Sequence, residues 1–323
     1  MGSSWGSLSW GKRRLALLFV SHVDDPELWR AELTGHVPGL EMRVHPEMGD
    51  PAEIDMALVW LPPEGLLASL PNLRAIFSLG AGVDAMLRDP TLPAQVPLCR
   101  LVDSSLTATM SEYVLLHVLK YHRYQDRYAQ DQRHQRWQLR LPGPPATTRV
   151  GILGLGVLGS DAARVLGGHG FSLRGWSRTQ KDLPGIACFS GEDGLAPFLA
   201  ETDILVCLLP LTPETTGILN RDLFALLPDG ARLIHVGRGA HLVEADLLAA
   251  LESGKLTGAT LDVFTQEPLP EGHPFWRHEA IDVTPHAASY SHPEVGAAVV
   301  ADNIRRFRAG QPLLHLVDRA RGY

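Results

Sequence analysis

Arg149-Val150-Gly151-Ile152-Leu153-Gly154-Leu155-Gly156-Val157-Leu158-Gly159 decides how this chain is read. An apolar run of strand type enters a G-x-G-x-x-G turn, and the helical pattern Ser160-Asp161-Ala162-Ala163-Arg164-Val165-Leu166 follows. Strand, glycine turn and helix in that order form the dinucleotide-binding fingerprint. Gly154 permits the tight turn, Gly156 lets the backbone approach a pyrophosphate, and Gly159 lets the helix lie close on the strand. The helix N-terminus, from Val157 and Leu158, then offers N–H groups and the positive end of its dipole to phosphates. A glycine-rich turn alone is a weak signal; the flanking strand and helix patterns carry the assignment.

Downstream, Phe171 to Ser177 reads as the second strand of this unit, and its end selects the cofactor. An NAD site places a carboxylate there, about 20 residues after the glycines, to hold the ribose 2′-OH. Here the residues are Ser177-Arg178-Thr179, with Lys181 close by and no carboxylate. Arginine and two hydroxyls suit a 2′-phosphate, so NADP(H) is expected. The alternative is that Arg178 only stacks on adenine, which leaves NAD(H) acceptable as well. Later strands are expected at Asp203 to Leu208, Ala231 to Val236, Gly258 to Val263 and Ile281 to Thr284. Ligands of open α/β sheets bind beyond the carboxyl ends of strands. That rule singles out Arg238, Glu267 and His286. Val243 to Leu251 reads as an amphipathic helix, and His292 to Ala309 as a closing helix capped by Gly310.

Upstream, short apolar runs alternate with helical patterns. Arg14 to Val20, Met56 to Trp60, Leu73 to Leu79 and Val96 to Leu101 read as strands; Pro26 to Leu33 and Glu64 to Leu70 read as helices. Such alternation implies a parallel sheet. Thr107 to about Arg136 carries one long helical pattern, of a length that usually crosses between domains, ended by Pro142-Gly143-Pro144-Pro145.

The chain has 323 residues, which fits two domains with their own cores. Its net charge of -7 argues against nucleic acid or an anionic membrane as partner. Its 3 cysteines, Cys99, Cys188 and Cys207, are far apart and form no C-x-x-C pair, so no disulfide framework and no metal site are expected. A reducing cytoplasm fits. Lys12-Arg13-Arg14 before Leu15 to Val20 imitates a signal peptide, but the apolar run is too short and no small-residue cleavage site follows. Met1 to Gly11 is Gly/Ser-rich and is expected to fray. No apolar stretch approaches the roughly 20 residues of a membrane span.

Further motifs occur in a fixed order: Leu209-Pro210-Leu211-Thr212-Pro213-Glu214-Thr215, Gly237-Arg238-Gly239, Leu261-Asp262-Val263-Phe264-x-x-Glu267-Pro268 and Thr284-Pro285-His286. With the glycine turn, they resemble the D-isomer-specific 2-hydroxyacid dehydrogenases, over nearly the whole chain from Arg14 onward. Ala57-Leu58-Val59-Trp60 with Pro62-Pro63, Leu79-Gly80-Ala81-Gly82-Val83-Asp84 and Trp176-Ser177-Arg178 look most like the glyoxylate/hydroxypyruvate reductases of that family.

The resemblance implies an α/β protein of two doubly wound parallel-sheet domains. A flavodoxin-like substrate domain comes from residues 1–105 and 288–323. A Rossmann dinucleotide-binding domain, 106–287, is inserted between them, with an active-site cleft between the two. Arg238 is expected to bind the substrate carboxylate and carbonyl oxygen, a two-point contact that suits guanidinium. His286 is expected to protonate the carbonyl oxygen, and Glu267 to pair with and orient it. Gly80-Ala81-Gly82 would form an anion nest for the carboxylate through Ala81 and Gly82. Leu209, Pro210, Thr215, Val236, Gly237 and Asp262 are expected along the cofactor, Asp262 at its nicotinamide end. Trp60, Tyr290 and Trp276 either line the pocket or pack in the interior. One departure stands out: the family often has asparagine three residues before the arginine, and here His235 is either a core histidine or a packing partner of Arg238. The implied activity is NADPH-dependent reduction of glyoxylate, hydroxypyruvate or a similar small 2-oxo acid, in a homodimer. The rivals are a dehydrogenase for a bulkier 2-oxo acid and a non-catalytic NAD(P)-sensing module.

Overall fold

The computed structural model describes residues 14–322, so the reading of Met1 to Gly11 lies outside the described residues. The chain forms two compact units, one made of the residues up to Leu106 together with those from Tyr290 onward, the other of Thr107–Ser289.

The first unit opens with β1 (Leu15–Val20), buried at every position. A strand covered on both faces needs such an uninterrupted apolar run. The helix α1 (Pro26–His36) follows, its first turn capped by the Asp25 side chain, which accepts from the Glu27 N–H. Trp29 and Leu33 are its buried face. Then come β2 (Leu40–Val44), β3 (Met56–Val59), β4 (Ala75–Ser78), the single turn α2 (Asp84–Leu87) and β5 (Leu98–Cys99). The sheet runs β2-β1-β3-β4-β5, parallel throughout. Glu64 to Leu70 forms only a 3-10 turn, at Leu67–Ser69.

The pattern expected as one helix from Thr107 to Arg136 is two helices, α3 (Ser104–His122) and α4 (Gln125–Arg133). Tyr124 sits between them with φ 58, a left-handed conformation that no helix interior tolerates. The second unit continues with β6 (Arg149–Leu153), α5 (Val157–Gly168), β7 (Ser172–Ser177), β8 (Ile186–Ser190), α6 (Gly191–Ala200) and β9 (Ile204–Cys207). It ends with α7 (Arg221–Leu226), β10 (Ala231–His235), α8 (Glu244–Glu252), β11 (Leu256–Leu261) and β12 (Ile281–Val283). The strand order is β12-β11-β10-β9-β6-β7-β8, again all parallel. Chain direction across the sheet reverses between β6 and β9, which creates a switch point at their carboxyl ends.

The last helix, α9 (Pro293–Arg308), returns to the first unit. Its Ala297, Val300, Ala301 and Ile304 are buried in one cluster with Leu17, Phe19, Trp29 and Phe77. Gly296 lets it approach α1, because a Cβ there would lie 2.7 Å from the Trp29 ring. At the point where the chain leaves and re-enters this unit, the Ser291 hydroxyl donates to Asp103 and the His292 N–H donates to Ser105 Oγ. No helix among the described residues is long and apolar enough to cross a membrane.

Candidate active site

At the switch point the glycine turn takes the shape that its residues allow. Gly154 has φ 106 and its N–H donates to the Trp176 carbonyl at 2.8 Å. A Cβ at Gly159 would lie 1.9 Å from the Gly154 carbonyl oxygen, so only glycine lets α5 start so close to β6. Gly156 has open space around the position of a Cβ, and Val157, the first residue of α5, is exposed. The N-terminus of a twelve-residue helix is thereby open to an anion. Arg178 and Thr179 lie exposed after β7; the Ser177 hydroxyl donates to the Thr179 carbonyl at 2.8 Å. Arg178 is close enough to Glu214 to help hold that carboxyl low; the Thr212 hydroxyl bond is the larger cause.

The loop Leu209 to Thr215 begins after β9. Leu209 is buried, and the Thr215 hydroxyl donates to the Pro210 carbonyl at 2.8 Å and accepts from the Thr212 N–H at 2.9 Å. The hydroxyl thus closes the loop on itself. Val236 and Gly237 are buried and continue β10 toward Arg238, which is partly exposed.

Beyond β10, β11 and β12 the three candidate polar residues come into reach of one another. Glu267 Oε2 lies 2.8 Å from His286 Nδ1, and Glu267 Oε1 accepts from the Phe264 N–H at 2.9 Å. Burial pushes the Glu267 carboxyl up. The His286 bond, the Phe264 N–H and the charges of His286 and Arg238 outweigh it, so the carboxyl sits below its ordinary range. Arg238 is therefore within electrostatic reach of the pair. The imidazole is held by strained backbone: His286 has φ 55, and its N–H donates to the Asp262 carbonyl at 2.8 Å.

Asp262, expected at the nicotinamide end, is 1% exposed and turns its carboxylate into this loop. Oδ1 accepts from Thr284 Oγ1 at 2.6 Å and the Ala287 N–H at 2.8 Å, and Oδ2 accepts from the Ala288 N–H at 2.9 Å. Tyr113 of α3 adds its hydroxyl to Thr284 Oγ1 at 2.6 Å. A buried carboxylate with three such donors is satisfied where it stands. Tyr113 is not legible in this role from the sequence, where it reads as one more residue of the apolar half of a helical pattern.

In the first unit, Gly80, Ala81 and Gly82 follow β4. A Cβ on Gly80 would lie 2.6 Å from the Trp60 ring, so the indole packs directly on this turn. Trp60 is half-buried, whereas Trp276 and Tyr290 are 53% and 43% exposed and are not interior packing residues.

His235 is both things the sequence allowed. It is fully buried, and its Nε2 lies 2.8 Å from the Arg238 carbonyl oxygen. His241, which sequence reasoning passed over, is also fully buried, and its Nδ1 accepts from the Arg238 N–H at 3.0 Å.

A dinucleotide fold of this strand order, with arginine, glutamate and histidine beyond successive strand ends, defines an NAD(P)-dependent dehydrogenase architecture. The family model for the D-isomer specific 2-hydroxyacid dehydrogenase, NAD binding domain, matches residues 115–288. The chain belongs to the D-isomer specific 2-hydroxyacid dehydrogenase family. Among its relatives is glyoxylate/hydroxypyruvate reductase A of Yersinia enterocolitica, 44% identical over 95% of this chain and 99% of that protein. The D-isomer specific 2-hydroxyacid dehydrogenase of Xanthobacter autotrophicus Py2, solved with NADPH and MES, superposes with a TM-score of 0.92 at 46% identity, over 96% of this chain and 100% of that one. The NADPH-dependent glyoxylate/hydroxypyruvate reductase of Sinorhizobium meliloti, solved with NADP and sulfate, gives 0.89 at 41% identity, over 95% and 100%.

Proposed function

We propose that this chain reduces glyoxylate, hydroxypyruvate or a similarly small 2-oxo acid to the D-2-hydroxy acid with NADPH. The observation that carries the reading is the Glu267–His286 pair at 2.8 Å, on a strained loop, with Arg238 in electrostatic reach. NADPH, when bound, supplies the hydride. The open glycine turn and the N-terminus of α5 fit its pyrophosphate. The end of β7, with Ser177, Arg178, Thr179 and Lys181 and no carboxylate, fits a 2′-phosphate better than a bare ribose. The names and ligands of the relatives point the same way.

In this reading Glu267 accepts from Nδ1–H of His286, which leaves Nε2 to hold the proton that passes to the carbonyl oxygen. Arg238 holds the substrate carboxylate and polarises the carbonyl through its planar fork. Ala81 and Gly82 offer backbone N–H groups that suit a carboxylate, with Trp60 packed on the neighbouring Gly80. Leu209, Pro210, Thr215, Val236 and Gly237 shape the floor for the cofactor. Asp262 acts through the loop that carries His286.

The test is loss of nicotinamide absorbance with a panel of 2-oxo acids. Glyoxylate and hydroxypyruvate are expected to be turned over fastest, and a preference for bulky 2-oxo acids would redirect the substrate assignment. Replacing His286 by Ala should lower kcat by roughly 10²–10⁴-fold, the usual share of a positioned acid. Near-native turnover would remove His286 from the mechanism.

We also propose a homodimer joined through the second unit. Trp137, Leu139 and Leu141 project from the extended segment after α4, with Trp137 101% exposed. Three large apolar side chains in one short segment suit burial by a second copy of this chain. A cytoplasmic location fits the three free cysteines, two of them buried.

A further inference from the structure

Arg238 stands at the end of β10, where regular pairing stops and a 3-10 turn, Gly239–His241, begins. The turn supplies one bond of its own there, the His241 N–H donating to the Arg238 carbonyl at 2.9 Å. The two peptide groups of Arg238 are also both held by side chains, and both side chains are imidazoles. His235 Nε2 lies 2.8 Å from the Arg238 carbonyl oxygen, and His241 Nδ1 lies 3.0 Å from the Arg238 nitrogen.

The partners fix the tautomers. A carbonyl only accepts, so His235 carries its proton on Nε2 and is bare at Nδ1, which has no partner among the described residues. A peptide N–H only donates, so His241 is bare at Nδ1 and carries its proton on Nε2. That Nε2 lies 3.2 Å from the Pro210 carbonyl oxygen, the same oxygen that accepts from Thr215. His241 thus stands between the arginine and the 209–215 loop, joined to each by a different nitrogen.

Cys207 completes a buried trio whose donor atoms lie within 4.8 Å of one another. Burial pushes its thiol up to about 12, and both nitrogens of His241 already face hydrogen-bond partners. Only His235 Nδ1 keeps an unused imidazole lone pair and the thiol stays protonated, so the trio does not suit a metal ion.

We propose that His235 and His241 are positioning residues: they grip the Arg238 peptide groups from both sides, and His241 ties that grip to the cofactor loop. This rests on the reading of Arg238 as the substrate anchor. Without His241 Nδ1 the Arg238 N–H would lose its partner and incur the desolvation of that group, and without His235 the carbonyl would keep only the turn's bond from the His241 N–H, so either change lets the backbone at Arg238 shift. A shift of the backbone carries the guanidinium with it.

Amide side chains separate the two halves of the grip. An Asn side chain oxygen can stand where Nδ1 of histidine stood, and a Gln amide nitrogen where Nε2 stood. In His241→Asn the arginine N–H keeps its acceptor while the Pro210 bond is lost; in His241→Gln the reverse holds. Steady-state kinetics with glyoxylate and NADPH, and NADPH affinity by fluorescence, are the measurements. His241→Asn should keep kcat/KM for glyoxylate within about 3-fold while NADPH affinity falls roughly 5–10-fold. His241→Gln should lose about 10–100-fold in kcat/KM for glyoxylate with NADPH affinity near the parent, the range expected when one buried hydrogen bond is broken. His235→Phe should fall likewise, and His235→Gln, which restores a donor, should recover most of the loss. Equal losses in all four variants on both measurements would mean that the histidines only fill space, and would overturn the proposal. So would parent-like kinetics for His241→Gln and His235→Phe. Arg238→Lys serves as the control. If it too behaves as the parent, the anchor reading itself has failed; if it is crippled while the histidine variants are not, only the grip is wrong.

Discussion

Single side chains decide which cofactor is held and how the interior meets acid. Arg178 is exposed at the end of β7 and should make a charge-assisted contact with a 2′-phosphate. Hydrogen bonds to charged groups contribute about 1.5–3 kcal/mol. Arg178→Ala should therefore weaken NADPH by on the order of 10–100-fold and leave NADH nearly unchanged. Affinities for both cofactors in both proteins check it, and equal losses would mean that Arg178 only stacks on adenine. His235 makes a different prediction. Burial, then the neighbouring His241 and Arg238, pushes it down to about 3, against only the raising effect of its bond to the Arg238 carbonyl. Its folded form refuses a proton that the unfolded chain accepts near pH 6.5. Its contribution to stability is full above pH 6.5 and is lost as pH falls from there toward 3. The loss should run at about 1.4 kcal/mol per pH unit. His117, pushed down to about 4 by burial and then by Lys120, adds the same sign. Urea unfolding between pH 6.5 and 5 should show a shallower slope in His235→Gln by about one proton. Identical slopes would mean that the folded protein protonates His235. From the sequence His235 was legible only as a core histidine or a packing partner of Arg238, and His241 not at all. A tautomer and its partner exist only once a strand end and a turn have folded onto each other.

At the scale of elements, the glycine turn separates fold from ligand. A methyl at Gly159 would collide with a backbone oxygen, so Gly159→Ala should destabilise the second unit by at least the ~1–3 kcal/mol typical of overpacking. A methyl at Gly156 meets nothing in the protein, so Gly156→Ala should keep the melting temperature and lose NADPH affinity by about tenfold or more, because it occupies the approach of the pyrophosphate. Melting curves with and without NADPH distinguish the two, and a parent-like NADPH shift in Gly156→Ala would move the pyrophosphate elsewhere. This turn was legible because backbone geometry selects glycine so sharply. The central strands were legible for a related reason: burial on both faces demands the unbroken apolar runs of β1, β3, β6 and β9. The strands the sequence hid, β2 and β8, each lie at one edge of their sheet. Leu40-Glu41-Met42-Arg43-Val44 alternates with charge, and Ile186-Ala187-Cys188-Phe189-Ser190 is nowhere fully buried, so neither shows that run. The break at Tyr124 was invisible because neither glycine nor proline marks it.

For the whole molecule, the exposed Trp137, Leu139 and Leu141 give the assembly its test. Light scattering after gel filtration should find a dimer for the parent. Replacing all three by serine should yield monomer, or a dimer at least about tenfold weaker, with the melting temperature of the monomeric fold kept at high dilution. An undisturbed dimer would place the contact on another face. The Glu267–His286 pair and the residues that fix it all lie in Thr107–Ser289, whereas the Gly80 turn and Trp60 belong to the other unit.

That discontinuity also governs how the protein is made. The first unit's strands leave the ribosome early, but the apolar face that awaits Ala297, Val300, Ala301 and Ile304 is covered only by α9. All of Thr107–Ser289 must be translated in between. At ~5–20 residues per second, that is on the order of ten to forty seconds. During that interval the half-built sheet lacks the helix that covers its apolar face. Its order of synthesis runs opposite to its order of completion: the unit begun first is finished last.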